Sequence, residues 1–335
     1  MIFFTLNLSG CYYSHLASGQ MKLLWRRQPI SEAVLDANHP ARVRELLHLV
    51  ESVRRFARDL GLRVEDQYTS FVDWPGDRIV TTLVRTRRGS LEAVPHWFPV
   101  VGELPYKGYF DQAWAETEAT RMRDEDGFDV CVSAITAYST LGWFADPVTT
   151  PMLAHGAAGL VETILHELVH ATAFLPNEAD FNESVAQFIG QQAAIRFFEE
   201  HAEDAPLTLP TADAVRNAIA DRQTISEVIL AFRNELGEIE EEPDRAKRRI
   251  PLESKARKDL ATLPLRVLDA EAVATDVRLS DACLALRGTY VEDGPRHAEV
   301  LIALDGDLEA MIARLSKWAE LDRSAEEFYD VTGVR

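Results

Sequence analysis

Residues 161–188 read VETILHELVHATAFLPNEADFNESVAQF, and this stretch decides how the centre of the chain folds. Apolar residues recur at helical spacing before Pro176, which predicts a largely buried helix over residues 156–173. Pro176 and Asn177 end that helix, and a second helix is predicted to start near Phe181. The stretch therefore predicts two helices joined by a short turn.

The first of these helices carries the motif HELVH. His166 and His170 are four residues apart, so they lie on one face of the helix, with Glu167 beside them. Polar groups on a buried helix cost free energy unless they have a partner. Accidental HExxH matches in a chain of this composition number on the order of 0.02–0.03. The motif therefore predicts a Zn²⁺ site, with the two histidines as ligands and Glu167 as the general base.

A zinc site of this type needs a third protein ligand. The metzincin extension would require Gly at 173 and His at 176, but the chain has Ala173 and Pro176. Glu178, Asp180 and Glu183 are the nearby carboxylates. We favour Glu183, because the first turn of the second helix can face the histidines across a helix–helix distance of about 8–10 Å. The alternative is a capping box that pairs Asp180 with Glu183.

Further segments accompany the motif. HELVH is followed by FNESVAQFIG and preceded by FPVVGELPYKGYFD at residues 98–111 and AYSTLGWFADP at residues 137–147. Together they resemble a family of bacterial proteins predicted to be zinc aminopeptidases of the gluzincin type, which are also predicted lipoproteins. The resemblance extends from LSGC at residues 8–11 to DGDLEAMIARL near the C-terminus. It implies a zincin-like catalytic core and zinc-dependent hydrolysis of peptides.

The chain departs from the family pattern in two places. The family has cysteines flanking the FPIVG segment, where this chain has His96-Trp97 and Glu103. The family's Asn-Asn-Ala near the C-terminus is Ser280-Asp281-Ala282 here. The first departure removes a disulfide or packing pair, and the second puts in doubt any role of those asparagines.

Hydrolysis also needs a donor that stabilises the tetrahedral oxyanion. Tyr138, in AYSTLGW, is the first candidate for this catalytic role and Tyr109 the second, although both also fit aromatic residues that pack loops.

Asn182 fits either a residue that orients a ligand or a helix cap. An aminopeptidase further needs an acid that binds the substrate's α-ammonium group, and the sequence offers Asp146 and Asp180 without choosing between them.

Two alternative functions stay open from the sequence. An endopeptidase would use the same zinc site, and a non-catalytic lipoprotein scaffold would hold a structural zinc. Glu167 argues against the scaffold, because a structural site needs no base. The net charge of −19 argues against nucleic-acid binding, because such binding relies on basic patches. The expected partner is the peptide substrate that the predicted zinc site would hydrolyse.

The three cysteines predict different environments. Cys131 and Cys283 lie in apolar patterns typical of buried thiols, with a disulfide between them as the less favoured alternative. Cys11 ends a short apolar run that resembles a lipoprotein cleavage box. We expect a lipidated Cys11 on the periplasmic side of a bacterial membrane, and otherwise a soluble protein.

Periodicity predicts a mostly helical α+β fold with a small sheet. Helices are expected at residues 12–28, 40–62 and 111–127, strands at 77–86 and 129–135, and an irregular loop at 98–111. The second strand is expected to pair with an extended substrate if it lies at a sheet edge. Residues 1–11 form a possible signal segment, and residues 12–335 a single domain with an α+β part (12–205) and a helical part (206–335).

Overall fold

The computed structural model describes residues 6–99, 102–137, 145–201, 209–286, 293–321 and 323–331, with the backbone alone for residues 6–11. The described helices are α1 Leu6–Trp25, α2 Ile30–Ala33, α3 Ala41–Asp59, α4 Gln112–Asp124, α5 Thr150–Leu153, α6 Gly156–Thr172, α7 Ala179–Glu200, α8 Ala212–Glu238, α9 Arg245–Ala261, α10 Ala270–Asp276, α11 Asp281–Leu284, α12 Gly294–Ala303, α13 Leu308–Glu320 and α14 Ala325–Tyr329. Among the described residues, no helix is long and apolar enough to cross a lipid bilayer.

The strands form small sheets in the first half of the chain. They are β1 Gln28–Pro29, β2 Ser70–Val72, β3 Val80–Arg87, β4 His96–Phe98, β5 Gly102–Leu104, β6 Tyr106–Tyr109, β7 Phe128–Ile135 and β8 Val148–Thr149. Within the described ranges, one sheet has the order β1-β2-β8, a second the order β6-β3-β7, and β4 pairs with β5. The chain is therefore mostly helical with a minor sheet component, as the sequence predicts.

The second sheet is antiparallel throughout. β3 pairs with β6 on one side and with β7 on the other, and the register sets Val84 opposite both Tyr106 and Cys131. The predicted strands at 77–86 and 129–135 correspond to β3 and β7. The irregular loop predicted over residues 98–111 is wrong, because this region contains the end of β4 together with β5 and β6. Pro99 and Pro105 lie between strands, but Gly102 and Gly108 lie within β5 and β6. A composition rule reads all four residues as loop.

The main core surrounds α6. Helices α3, α5 and α7 all pack against α6, and α7 makes the most extensive contact. The residues of α3 predicted to face the core are buried, as are those of α6: Leu46, Leu47, Val50, Val53, Phe56 and Leu60, with Leu160, Val161, Ile164, Leu165, Leu168 and Val169. Helical periodicity correctly identifies these faces because both helices bury one continuous apolar surface.

The two places where the chain departs from the family pattern have structural counterparts. In the β4–β5 hairpin, Trp97 lies directly opposite Glu103, so the positions that carry cysteines in the family are cross-strand neighbours. Asp281 is buried and forms an ion pair with Arg245, with an N–O distance of 2.9 Å, and a second pair with Arg249. Ser280 caps α11 through the backbone N–H of Cys283. The departing residues therefore contribute to packing.

Cys131 and Cys283 form a disulfide, so the expectation of two separate buried thiols is wrong. The bond joins β7 to α11 across 152 residues of sequence. The apolar pattern around each cysteine fits a free buried thiol as well as it fits a disulfide. The two cysteines come together through long-range packing, which a local pattern does not reveal. The disulfide fastens the helical C-terminal part to the sheet.

Removing this disulfide should destabilise the protein. The double variant Cys131→Ala/Cys283→Ala is expected to lose about 2–5 kcal/mol of unfolding free energy, because the unfolded chain regains the freedom that a long closed loop denies it. Urea unfolding with and without dithiothreitol measures the loss. The control is the double variant itself, whose midpoint should not respond to reductant. Equal midpoints for the oxidised wild type and the variant would contradict the assignment.

Candidate metal centre

Helices α6 and α7 form an antiparallel hairpin that brings the predicted ligands together. Gly156 starts α6 in the left-handed region, at φ +70°, and Asn177 adopts φ +63° in the turn that follows. Asn tolerates this region better than most residues, because its short side chain bonds locally. The predicted break at Pro176 and Asn177 is therefore present, and α7 begins two residues before the predicted start at Phe181.

The turn is fixed by Asn182. Its side chain is buried and accepts a hydrogen bond from the Leu175 N–H at 2.9 Å, while its amide group donates to the Leu175 carbonyl at 2.7 Å. It therefore holds the connection between the two helices, which is neither of the roles that the sequence suggested for it. Glu183 is the next residue, so the two hydrogen bonds of Asn182 also fix the backbone position of Glu183.

Three side chains that can bind a metal converge across the hairpin. The Nε2 atoms of His166 and His170 are 3.1 Å apart. Glu183 Oε2 lies 3.6 Å from His166 Nε2, and Glu183 Oε1 lies 3.5 Å from His170 Nε2. Among the described residues, this is the group of His, Cys, Asp and Glu side chains able to hold a metal ion.

The spacing fits a small tetrahedral ion. Zinc–nitrogen and zinc–oxygen bonds of about 2.0–2.2 Å place neighbouring ligand atoms about 3.3–3.6 Å apart. The observed separations of 3.1, 3.5 and 3.6 Å fall close to this range. The capping alternative does not occur, because the N-cap of α7 is Glu178 without a side-chain cap, and Asp180 lies inside the first turn.

The electrostatics also favour a cation between these groups. Burial acts to raise the pKa of Glu183, but its bonds to His166 and His170 outweigh burial and lower the pKa well below its usual range. Burial acts to lower the pKa of His166, yet the contact with Glu183 and the charges of Glu167, Glu183 and Glu162 raise it overall. A positive charge shared by the histidines and Glu183 is thus stabilised at this point of the fold.

Glu167 follows His166 on α6, and its side chain is half-buried. Within the described part of the chain its carboxylate has no hydrogen-bond or ion-pair partner. Its charge nevertheless acts on other groups: the pKa of Tyr68 is raised first by burial and then by the charges of Glu167 and Asp146. The Tyr68 backbone adopts φ +58°, which is uncommon for an aromatic residue and is held by burial of the ring.

The tyrosine candidates end up in different places. Tyr138 lies outside the described residues. The ring of Tyr109 is buried against Tyr12 and Trp114 in a separate cluster, which matches the packing alternative given for it. Tyr106, which the sequence did not single out, is 43 % exposed, and its pKa is raised by burial and then by the charge of Glu183. The phenol of Tyr106 is therefore within electrostatic range of Glu183.

The two acids proposed to bind an α-ammonium group also differ. Asp146 is buried near Tyr68, and its backbone carbonyl accepts a hydrogen bond from the Tyr68 N–H at 2.8 Å. Asp180 is exposed in the first turn of α7. Of the two acids, Asp146 is therefore the one whose charge, like the charge of Glu167, raises the pKa of Tyr68.

Among the described residues, β7 is an edge strand of the sheet β6-β3-β7, which meets the condition set for substrate pairing, but other parts of the chain cover much of that edge. The register gives outward-pointing backbone groups at Val130, Val132 and Ala134. The Val130 carbonyl accepts a hydrogen bond from Arg123 at 2.9 Å, and the Val132 carbonyl accepts one from Arg278. The stretch of β7 still able to pair with an extended peptide is therefore short.

α7 approaches α6 closely because Gly190 has no side chain. A Cβ atom at position 190 would lie 3.0 Å from the backbone nitrogen of His166 and 3.1 Å from its Cα. Both neighbours are backbone atoms, which cannot rotate away. Neither Gly190 nor Tyr106 is marked by local sequence pattern, because each owes its importance to a partner on another element.

Gly190→Ala is therefore expected to lower the unfolding free energy by about 1–3 kcal/mol, since the two helices must move apart. Gly237→Ala in α8 is the matched control, because its Cβ meets nothing within 4 Å. It should be neutral or raise stability by up to about 1 kcal/mol, the helix-propensity difference. Urea unfolding of both variants measures the difference. Equal effects at both positions would mean that the close contact does not constrain the hairpin.

Comparison with known proteins places the chain in a family. The family described as "Putative aminopeptidase" matches residues 11–328, nearly the whole length, and the chain belongs to it. No curated protein and no solved structure matches the chain. The family description indicates peptidase activity.

Proposed function

We propose that this member of the aminopeptidase family is a zinc-dependent metallopeptidase that cleaves peptides from their amino termini. The observation that carries the proposal is the convergence of His166, His170 and Glu183, with ligand atoms 3.1–3.6 Å apart. Glu167 lies next to His166 in the sequence and has no hydrogen-bond or ion-pair partner among the described residues. The residue types of His166, His170 and Glu183 match the donor set of catalytic zinc sites in a zincin-like core. When bound, zinc supplies a Lewis acid that polarises the scissile carbonyl and acidifies water.

Glu167 acts as the general base in this proposal. It takes a proton from the attacking water and delivers it to the leaving amine. Its carboxylate is available for this task because no described residue engages it. A structural zinc would require no such group, so the free carboxylate supports an enzyme over a non-catalytic scaffold.

A tyrosine hydroxyl near the ligands would stabilise the oxyanion. Tyr138 remains the candidate from the sequence, and Tyr106 is the described residue best placed for the role, because the charge of Glu183 reaches its phenol. A donor aimed at the developing negative charge commonly contributes about 10²–10³ in kcat.

The sheet edges support cleavage near a peptide terminus over cleavage of a long internal segment. On β6, the Gly108 carbonyl accepts a hydrogen bond from the Tyr12 hydroxyl at 3.0 Å. On β7, Arg123 and Arg278 occupy two backbone carbonyls. An extended substrate thus has few backbone positions with which to pair. A short or terminal segment fits this constraint better than the long pairing an endopeptidase uses.

Glu183→Gln is expected to weaken zinc binding by about tenfold or more, because a charged ligand becomes neutral. Asp180→Asn is the matched control, since it removes an exposed carboxylate one turn earlier on the same helix and should leave zinc affinity unchanged. Competition with a chromogenic chelator measures both affinities. Equal affinities for wild type and Glu183→Gln, with only lower thermal stability, would exclude Glu183 as a ligand.

Glu167→Gln should retain zinc and lose a factor of about 10²–10⁴ in kcat, the usual contribution of a positioned proton acceptor. The variant keeps the shape of the side chain, and Glu167 is not a ligand. Metal analysis and hydrolysis of a peptide panel test both parts. A variant with full zinc and undiminished kcat would refute the proposed mechanism.

The same panel separates the two types of peptidase. The wild-type enzyme should not cleave N-acetylated peptides if an acidic side chain binds the free α-ammonium group of the substrate. Equal cleavage of free and acetylated peptides would exclude an aminopeptidase and leave an endopeptidase with the same zinc site.

The proposed location is the periplasmic side of a bacterial membrane, with a lipid on Cys11. Expression with the native leader should then give a detergent-extracted protein of increased mass. Cys11→Ser should abolish both properties. A protein that keeps Met1 in cells would refute lipidation.

A further inference from the structure

The outward side of α1 carries large apolar groups that the fold leaves in solvent. Tyr13, Met21 and Trp25 are 37 %, 39 % and 78 % exposed, and they lie within 120° of helix rotation on one side. Lys22 and Arg26 follow them on one side and are also exposed, with the Arg26 guanidinium over the ring of Trp74. We define the α1 face as the side chains of Tyr13, Met21, Lys22, Trp25 and Arg26.

The inward side of α1 is built into the domain. Leu23 is buried, and Tyr12 is buried with its hydroxyl bonded to the Gly108 carbonyl of β6. His15 accepts a hydrogen bond from the Phe110 N–H at 3.0 Å. Gly19 packs so closely on the ring of Phe110 that a Cβ there would approach it to 2.2 Å. α1 is thus a rigid part of the structure.

The charge of this region is opposite to that of the protein as a whole. The first acidic residue of the chain is Glu32, so all 54 aspartates and glutamates lie beyond α1. Lys22, Arg26 and Arg27 lie in α1 or directly after it. A cationic helix on a chain of net charge −19 is complementary to an anionic surface.

We propose that the α1 face binds the surface of an anionic lipid membrane. Trp and Tyr are suited to the membrane interface because their rings combine an apolar body with a polar edge. Met21 adds apolar area between them, and Lys22 and Arg26 are placed to meet lipid phosphates, each contributing an attraction that falls off within a Debye length. The combination is that of a helix lying in the plane of the interface.

A second copy of the chain is a poorer occupant. Two α1 faces brought together would oppose Lys22 and Arg26 with the same cations. Ser14 and Ser18, both exposed, also lie between the apolar groups, which favours a wet interface over a dry protein contact.

Binding through this face would orient the domain. α1 is bonded to β6 through the Tyr12 hydroxyl and the Gly108 carbonyl. Binding through the α1 face would therefore limit how the domain is oriented at the membrane. The inference rests on the proposed function for the presence of a membrane, but it does not depend on the zinc chemistry.

Co-sedimentation with lipid vesicles tests the α1 face directly. The full chain with Cys11→Ser is used, so that no lipid anchor contributes. Vesicles of phosphatidylcholine alone are compared with vesicles that also contain phosphatidylglycerol. We expect salt-sensitive binding to the anionic vesicles, weakened at least about tenfold by Lys22→Glu/Arg26→Glu, because each cation is attracted to the surface and each new anion repelled. Trp25→Ser should weaken binding by a similar factor, about tenfold, through lost interfacial apolar area.

Leu35→Ser is the matched control, because Leu35 is 79 % exposed outside the α1 face and should have no effect. Circular dichroism of each variant excludes unfolding. Glu167→Gln should bind vesicles like the parent protein. Vesicle binding is thus measured independently of peptide hydrolysis, so a failure of the peptidase proposal can be told apart from a failure of this inference. Absence of vesicle binding, or equal losses for Trp25→Ser and Leu35→Ser, would overturn the inference. Self-association abolished by Trp25→Ser would also overturn it, because a second copy would then cover the face.

Discussion

The contact between α6 and α7 is the constraint on which the candidate site depends. The absence of a side chain at Gly190 lets α7 lie against the backbone of His166, and this closeness brings Glu183 within 3.6 Å of both imidazole nitrogens. Two nitrogen lone pairs and a carboxylate converging in a half-buried space repel one another unless a positive charge lies between them. The packing of the hairpin and the proposed binding of a cation therefore depend on the same contact.

The C-terminal third supplies much of the support for this hairpin. Ser184, which follows Glu183, contacts the buried His297 of α12 at 3.0 Å, and Phe181 packs against Phe328 of α14. The backbone N–H of Ala325 donates to the carboxylate of Glu178, at the start of α7. α7 is thus held between α6 and helices more than 100 residues later in the chain. A helix fixed on two sides keeps the Glu183 carboxylate in place, which the proposed metal site would require.

The sequence predicts what local periodicity encodes. The apolar faces of α3 and α6, the break at Pro176 and the separation of the histidines by one helical turn all follow from short-range pattern. The turn and the second helix then restrict the third ligand to a few carboxylates, among which Glu183 faces the histidines. The predicted loop at residues 98–111 fails because strands of three or four residues show no clear alternation, and the short-range pattern does not reveal their partners.

The disulfide and the tyrosines could not be found in this way, since each depends on contacts across the chain. Cys131 looks like any core thiol until α11 lies against β7, and Tyr109 looks as accessible as Tyr106 until α1 covers one end of β6. The same helix that buries Tyr12 on its inner side exposes Trp25 on its outer side. Closing a sheet edge with a helix removes unpaired backbone groups from solvent, but it also leaves the far side of that helix unpartnered. In this protein the exposed aromatic residues on that far side lie next to Lys22 and Arg26, in a segment without acidic residues. Exposure and charge together, and neither alone, therefore support the proposed membrane contact.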